Sequence, residues 1–145
     1  MVVRLATEHE ADTIADVFLS SFRGLTFLPT LHSDDEIRTW IRTEMAPSHE
    51  IWAADMRDDI VGFAALKGDL LGHLYVRPEW QSNGIGGVLL ETVKRERPQG
   101  FHFWVFQKNV SGRRFYERHG CRLVGLGDGS GNEEREPDAR YEWVP

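Results

Sequence analysis

The sequence predicts a mixed domain of the α/β (α+β) class, with elements in the order β-α-α-β-β-β-α-β-α-β-β and an antiparallel first half. Three features point there. Two capping patterns each open a helical-period segment after the first short strand. Three strands follow, separated by short polar turns, and a glycine-rich helix start comes directly behind the third. With 145 residues, the chain suits one domain spanning 1–145, and 41% hydrophobic with 11% aromatic content supplies its core.

Val2 to Ala6 is short and β-branched, the pattern of a strand. Thr7 with Glu10 three residues on is a capping box, and Ala11, Ile14, Ala15, Phe18 and Phe22 recur at helical spacing behind it. Gly24 to His32 is a loop, unusually apolar for its Leu25, Phe27, Leu28 and Leu31. Ser33 with Glu36 repeats the capping pattern; Ile37, Trp40, Ile41 and Met45 line a second helix, with Pro47 just after it. Ile51–Met56 and Ile60–Leu66 flank the hairpin-length turn Arg57-Asp58-Asp59, and Lys67-Gly68-Asp69 leads into a strand over Leu70–Val76. Ile85, Val88, Leu89, Thr92 and Val93 form the buried face of the next helix, closed by Pro98 and Gly100. Phe101–Phe106 has almost no polar alternation, which predicts a central strand covered on both faces. Val110–His119 is a helix stopped by Gly120. Cys121–Leu126 and Arg140–Val144 close the domain around the acidic loop Gly127–Asp138.

Composition excludes several classes. Cys121 is the single cysteine, which leaves no internal disulfide and no cysteine-based zinc site and suits a reducing, cytoplasmic setting. The six histidines show no metal-ligand spacing, so no metal is assigned. No run approaches the roughly 18 apolar residues of a membrane span, and the first ten residues lack a signal-peptide core. A net charge of −6 argues against nucleic acid as partner. The charge is uneven: Arg77 to Arg122 holds nine basic and four acidic residues, the remainder eight and nineteen. One basic third in an acidic chain points to a localised anion, although solvated helix faces would give the same count.

Gln81-Ser82-Asn83-Gly84-Ile85-Gly86-Gly87 is where such an anion would sit. The first turn of a helix has unpartnered amides and the positive end of the helix dipole, and glycines at 84, 86 and 87 let a phosphate approach the backbone. A dinucleotide fingerprint would need an acidic residue about 20 positions on, where this chain has Trp104 to Asn109. A P-loop would need Gly-Lys-Ser/Thr, which is absent. NAD and ATP are both disfavoured.

Gln81-x-x-Gly84-x-Gly86 matches the Arg/Gln-x-x-Gly-x-Gly/Ala pattern of the GCN5-related N-acetyltransferases, the GNAT family. The segment Leu74 to Gln81 resembles that family's fourth strand and its exit. Asn109 to Cys121 is similar to its Asn-x-x-Ala-x-x-Phe-Tyr-Glu-x-x-Gly-Phe segment, with Gly112 in place of alanine and Cys121 in place of phenylalanine. The element order agrees over nearly the whole chain. This resemblance implies a mixed, mostly antiparallel sheet with a splayed central strand pair, acetyl-CoA (coenzyme A) as cofactor, and acetyl transfer to a primary amine.

Carried onto these residues, the resemblance puts the diphosphate on the amides of Gln81, Ser82, Asn83, Gly84, Ile85, Gly86 and Gly87. The splayed strand Leu74-Tyr75-Val76 lies along the cofactor and supplies an unpaired N–H, near Tyr75 or Val76, for the oxyanion. Arg113, with Arg114 and Lys108, is expected at the phosphorylated end. Asn109, Gly112 and Tyr116 share a helix face; Gly112 would clear room for the pantetheine arm, Asn109 bond its amides, and Tyr116 protonate the leaving thiolate. His73, on the same strand face as Tyr75, is the candidate base, with a relay through water as the alternative. For the acceptor, the resemblance points to Phe27–His32 and Asn132–Asp138. The leading expectation is a small-molecule amine substrate. A protein N-terminus or lysine, and a non-catalytic acyl-CoA-binding module, are the alternatives, with a nucleotide-binding protein behind them. The family's frequent dimers leave a homodimer open.

Overall fold

Thr7 and Ser33 stand at the heads of the first two helical segments. In the computed structural model, which describes residues 1–145, β1 (Val2–Leu5) runs into a single 3₁₀ turn over Glu8–Glu10. There the Thr7 N–H donates to the Glu10 carboxylate at 2.8 Å, and α1 (Ala11–Phe22) begins only afterwards. Glu10 also accepts two bonds from Arg4, which together with the Thr7 bond pull its carboxyl down to about 2. At Ser33 the capping box is reciprocal, with Glu36 N–H to Ser33 Oγ at 3.1 Å and Ser33 N–H to Glu36 Oε1 at 2.9 Å. It opens α2 (Asp34–Trp40).

The second helix does not end ahead of Pro47. A π turn over Ile41–Met45 carries α2 into the short α3 (Ala46–Ser48), which takes Pro47 within its first turn. Proline has no N–H and its ring crowds the carbonyl four residues back, so a widened turn lets the helix pass it.

β2 (Glu50–Met56), β3 (Asp59–Lys67) and β4 (Leu70–Val76) form an antiparallel meander. The first hairpin is tighter than the three-residue turn read from sequence. Met56 pairs Asp59 across Arg57 (φ 55°) and Asp58 (φ 67°), the double positive φ whose twist matches a two-residue hairpin. α4 (Ile85–Glu96), β5 (Phe101–Phe106), α5 (Val110–Arg118), β6 (Arg122–Leu126) and β7 (Asp138–Trp143) complete the chain. The seven strands lie in the order β1-β2-β3-β4-β5-β7-β6, antiparallel except for β4 and β5. Those two parallel strands pair only at Leu70 and His102 and then part. The splay is the feature that makes a site.

Two cores sandwich the meander. On one face α1 and α2 bury Ile14, Phe18 and Ile37 against Ile51, Ala53 and Phe63. On the other, Leu89, Leu90 and Val93 of α4 pack with Ala64, Leu66, Phe103 and Tyr141. Strand β3 is buried from Ile60 to Leu66 because both layers close on it. Burial of each such large apolar side chain contributes about 1.5–3 kcal/mol.

β5 is covered on one face only. Phe101, Phe103 and Val105 are buried, but Trp104 between them is 55% exposed. The α1 and α2 core includes no β5 residue, so nothing helical lies over that side. The apolar side chains there find smaller partners: Phe106 meets Phe27 at 5.9 Å, and Arg140 sits 5.9 Å over Trp104.

Candidate active site

The parting of β4 from β5 opens a cleft of about 600 Å³ between the two halves of the sheet, walled by the start of α4 and by α5. One wall is the β4 backbone. The Arg77 N–H donates to Val61 O at 2.8 Å, marking Val61 and Arg77 as a hydrogen-bonded pair of the β3–β4 ladder. Such pairs alternate along an antiparallel ladder, so Tyr75, opposite Phe63, turns its polar backbone to β3. Leu74 and Val76 therefore turn theirs to the gap. The Val76 carbonyl is taken by Ser21 Oγ at 2.6 Å and Gln81 Nε2 at 3.0 Å, whereas the two N–H groups stand ready for an acceptor.

The other end of the cleft is the glycine turn. Ser82 (φ 70°) and Gly84 (φ 80°) are both left-handed, which turns successive amides towards one point ahead of α4. The first helical bond runs from Val88 N–H to Gly84 O, so the amides of Ile85, Gly86 and Gly87 have no carbonyl of their own helix. A Cβ on Gly84 would meet nothing within 4 Å, and no Asp or Glu lines the cleft. Orphan amides, a positive helix end and the absence of carboxylates fit a diphosphate.

The three glycines serve different ends. Gly84 provides the backbone conformation and the open approach. A Cβ on Gly86 would lie 3.2 Å from the Phe115 ring, and one on Gly87 3.0 Å from His119 Cε1. These two are small because α5 packs on them, not to admit a phosphate. Gly112 likewise leaves no empty space, for a Cβ there would strike the Asn109 side chain at 2.6 Å. Asn109 caps α5, its Oδ1 accepting from Gly112 N–H at 3.1 Å, so only its amide NH₂ remains for a ligand.

Leu74, Tyr75, Val76, Gln81, Ser82, Gly84, Gly86, Asn109, Gly112 and Tyr116 all line this one cleft. Asn83, Ile85 and Gly87 do not, and Ile85 is core. Arg113 is turned away from the expected phosphate position. Its Nε donates to the Tyr141 hydroxyl at 3.0 Å, and that hydroxyl in turn donates to Glu117. Lys108 pairs with Glu136 at 3.1 Å, and Arg114 is exposed away from the cleft. The cation on the cleft wall is Arg118, with Ser111 and Phe115 on the same face at i, i+4, i+7 spacing. That spacing becomes a signal for Arg118 over Arg113 only once Ser111 and Phe115 are known to face the cleft. Ser21 and Leu25, also on the wall, come from the end of α1 and the loop behind it and carry no local signal.

The Tyr116 ring packs at a tilt against Phe103, 4.3 Å between ring centres, and edge-on against Phe115 at 5.1 Å. Burial, then the neighbouring Tyr75 and Cys121, push its phenol up, so it holds its proton at neutral pH. His73 is placed differently from expectation. It does not line the cleft but sits among Phe18, Trp40 and His49, its ring centre 5.7–5.8 Å from each. Desolvation there, with His49 close by, lowers its imidazolium to about 4, well below the near-neutral value on which its role as base was argued. The geometry offers an acid, two backbone donors and an anion cradle in one groove.

Residues 47–121, from the end of the second helical segment to the start of β6, match the model of the acetyltransferase (GNAT) domain, and the chain belongs to the GNAT family. Solved structures share its fold. Apo YjaB from Escherichia coli superposes with a TM-score of 0.82 at 24% identity, 99% of each chain being covered. PaiA N-acetyltransferase from Thermoplasma acidophilum, solved with coenzyme A, gives 0.71 at 20% identity over 100% of both chains. YncA from Salmonella typhimurium, solved with acetyl-CoA, gives 0.74 at 14% identity over 99% of this chain and 93% of its own. No curated protein matches in sequence. No helix is long and apolar enough to cross a membrane.

Proposed function

We propose that residues 1–145 form one acetyl-CoA-dependent N-acetyltransferase domain that acts directly on the primary amine of a small molecule, in the cytoplasm. The observation that carries this reading is the position of Tyr116, on the wall of the same cleft that holds the glycine-turn amides and the free N–H groups of β4. When bound, acetyl-CoA supplies an activated acetyl thioester. The amides of Gly84 to Gly87 hold its diphosphate, with Arg118 as the nearby cation. The N–H groups of Leu74 and Val76 orient the arm and stabilise negative charge on the carbonyl oxygen, fixed donors that need no reorganisation during reaction. Tyr116 would keep its proton until the sulfur leaves and then give it up; burial lifts the phenol above its ordinary value near 10, and the same cleft, by disfavouring the thiolate, lifts the thiol above its ordinary value near 8.5, which keeps the transfer feasible. The amine must shed a proton before it attacks, and a water relay serves this better than His73 does.

A small acceptor is supported by the closure of the acceptor side. The His32 ring bonds the Glu133 carboxylate and so bridges the α1–α2 loop to the β6–β7 loop, where a peptide substrate would need an open groove. The test is a panel of small primary amines and of peptides with free N-termini or lysines, read as thiol released from acetyl-CoA. Thiol release with small amines is expected. Release with peptides alone would reverse the substrate class, and cofactor binding without release from any acceptor would leave a non-catalytic binding module.

A further inference from the structure

We propose that Tyr141 is a positioning residue for the acid Tyr116. Its hydroxyl, held between Arg113 and Glu117, fixes how α5 is turned about its axis and so where the Tyr116 phenol stands. The assignment rests on the acetyl-transfer reading above and deepens it.

Helix α5 carries the acid but has little to seat it. None of its residues is buried outright; Phe115 and Tyr116 are the apolar side chains it packs on the core, and Val110 is exposed. Apolar packing has no preferred direction, so two rings alone leave the rotation of the helix loosely set. Hydrogen bonds are directional and can set it. Arg113 and Glu117 lie one turn apart on the same face of α5 and reach the same oxygen. Arg113 Nε donates to the Tyr141 hydroxyl at 3.0 Å, and that hydroxyl donates to Glu117 Oε2 at 2.5 Å. Arg113 Nη1 also donates to Gln107 O at 3.4 Å, just past the end of β5.

Tyr141 is a fixed point. It is 0% exposed, and its strand pairs it with Phe103 on one side and Leu123 on the other. Its ring lies 5.7 Å from the Phe103 ring and within 9° of parallel to it, and Phe103 packs 4.3 Å from Tyr116. Tyr141 therefore acts on Tyr116 from two sides, through the hydroxyl that grips the helix and through the ring behind the surface on which the phenol rests. Both of its hydroxyl bonds go to the helix that carries the acid, and β7 is already held in the sheet by its backbone ladder. The lever is long: turning α5 by about 10° moves an oxygen at the end of a tyrosine side chain by about 1.5 Å. A misplacement of about 1 Å can cost about 10²-fold in rate.

Steady-state kinetics with benzylamine and n-butylamine as acceptors, read as thiol released from acetyl-CoA, test the assignment. Tyr141→Phe keeps the ring and is expected to lower kcat about tenfold, with the KM for amine and for acetyl-CoA within about twofold of wild type. In a Tyr116→Phe background the same change should cost less than about twofold, because the group it positions is already gone. A loss of packing alone would lower both backgrounds alike. Glu117, exposed at the surface, tests the clamp without touching the core. Glu117→Ala should lower kcat about threefold or more, and Glu117→Gln, which keeps an accepting oxygen, should recover most of that loss. A wild type impaired by Tyr116→Phe but indifferent to Tyr141→Phe and Glu117→Ala, or one in which the two tyrosine losses multiply, overturns this assignment and leaves Tyr116 as the acid. A wild type that transfers to no amine, or that Tyr116→Phe does not slow, overturns both.

Discussion

Tyr116→Phe is expected to bind acetyl-CoA with wild-type affinity while acetyl transfer falls by about 10²-fold or more, the scale on which a general acid is lost. The substitution removes one oxygen. The ring keeps its contacts with Phe103 and Phe115, and the phenol has no protein hydrogen-bond partner to leave stranded, so folding should be undisturbed. On the proposed reading binding rests on the glycine turn and the β4 amides, groups that the substitution does not touch. Affinity by calorimetry and turnover by thiol release separate the two effects. Unchanged turnover would remove Tyr116 from its role, and a matching loss of affinity would make it a packing residue.

A second large effect is expected in acid. The His73 imidazolium is lowered to about 4 in the folded chain, chiefly by desolvation, whereas in the unfolded chain it stays near 6.5. Between those values the unfolded state binds more protons, so stability rises with pH across the window. The contribution of His73 is complete above about pH 6.5 and is lost as pH falls towards 4, amounting to about 3 kcal/mol. His49, lowered by burial in the same cluster, acts in the same direction. His73→Phe keeps an aromatic ring among Phe18, Trp40 and Tyr75 and should flatten this acid limb, as urea denaturation at pH 7, 5.5 and 4.5 would read. An equal loss in wild type and variant would contradict the cause assigned.

His73 also marks the limit of what could be read from the chain. Its two-residue spacing from Tyr75 was sound as strand geometry, but the layer that covers it is built by Phe18 and Trp40, more than 30 residues away in sequence. Gly86 and Gly87 misled in the same way. Glycines at a helix start carry a local signal for an anion, whereas the rings they accommodate belong to Phe115 of α5 and His119 just behind it. Gly84 was legible because its reason is local: a left-handed φ at a cap. The element order, the two capping patterns and the paired motifs around Gln81 and Asn109 were legible for the same reason. The exposed face of β5 was not, because an apolar run says nothing about how many layers a fold can supply to cover it. Arg113 and Arg118 differ only by their place around one helix turn, and the choice between them needed the cleft to be seen.

The central claim is that the amides ahead of α4 and those of Leu74 and Val76 line one ligand site. Amide-resolved NMR titration with coenzyme A tests it most directly. The expected result is a set of shifts concentrated at Ser82 to Gly87 and at Leu74 and Val76, with little change at the other groove, which Gly127 to Asn132 form beside Trp104. Shifts confined to that second groove, or an equal response to NAD at the glycine turn, would contradict it.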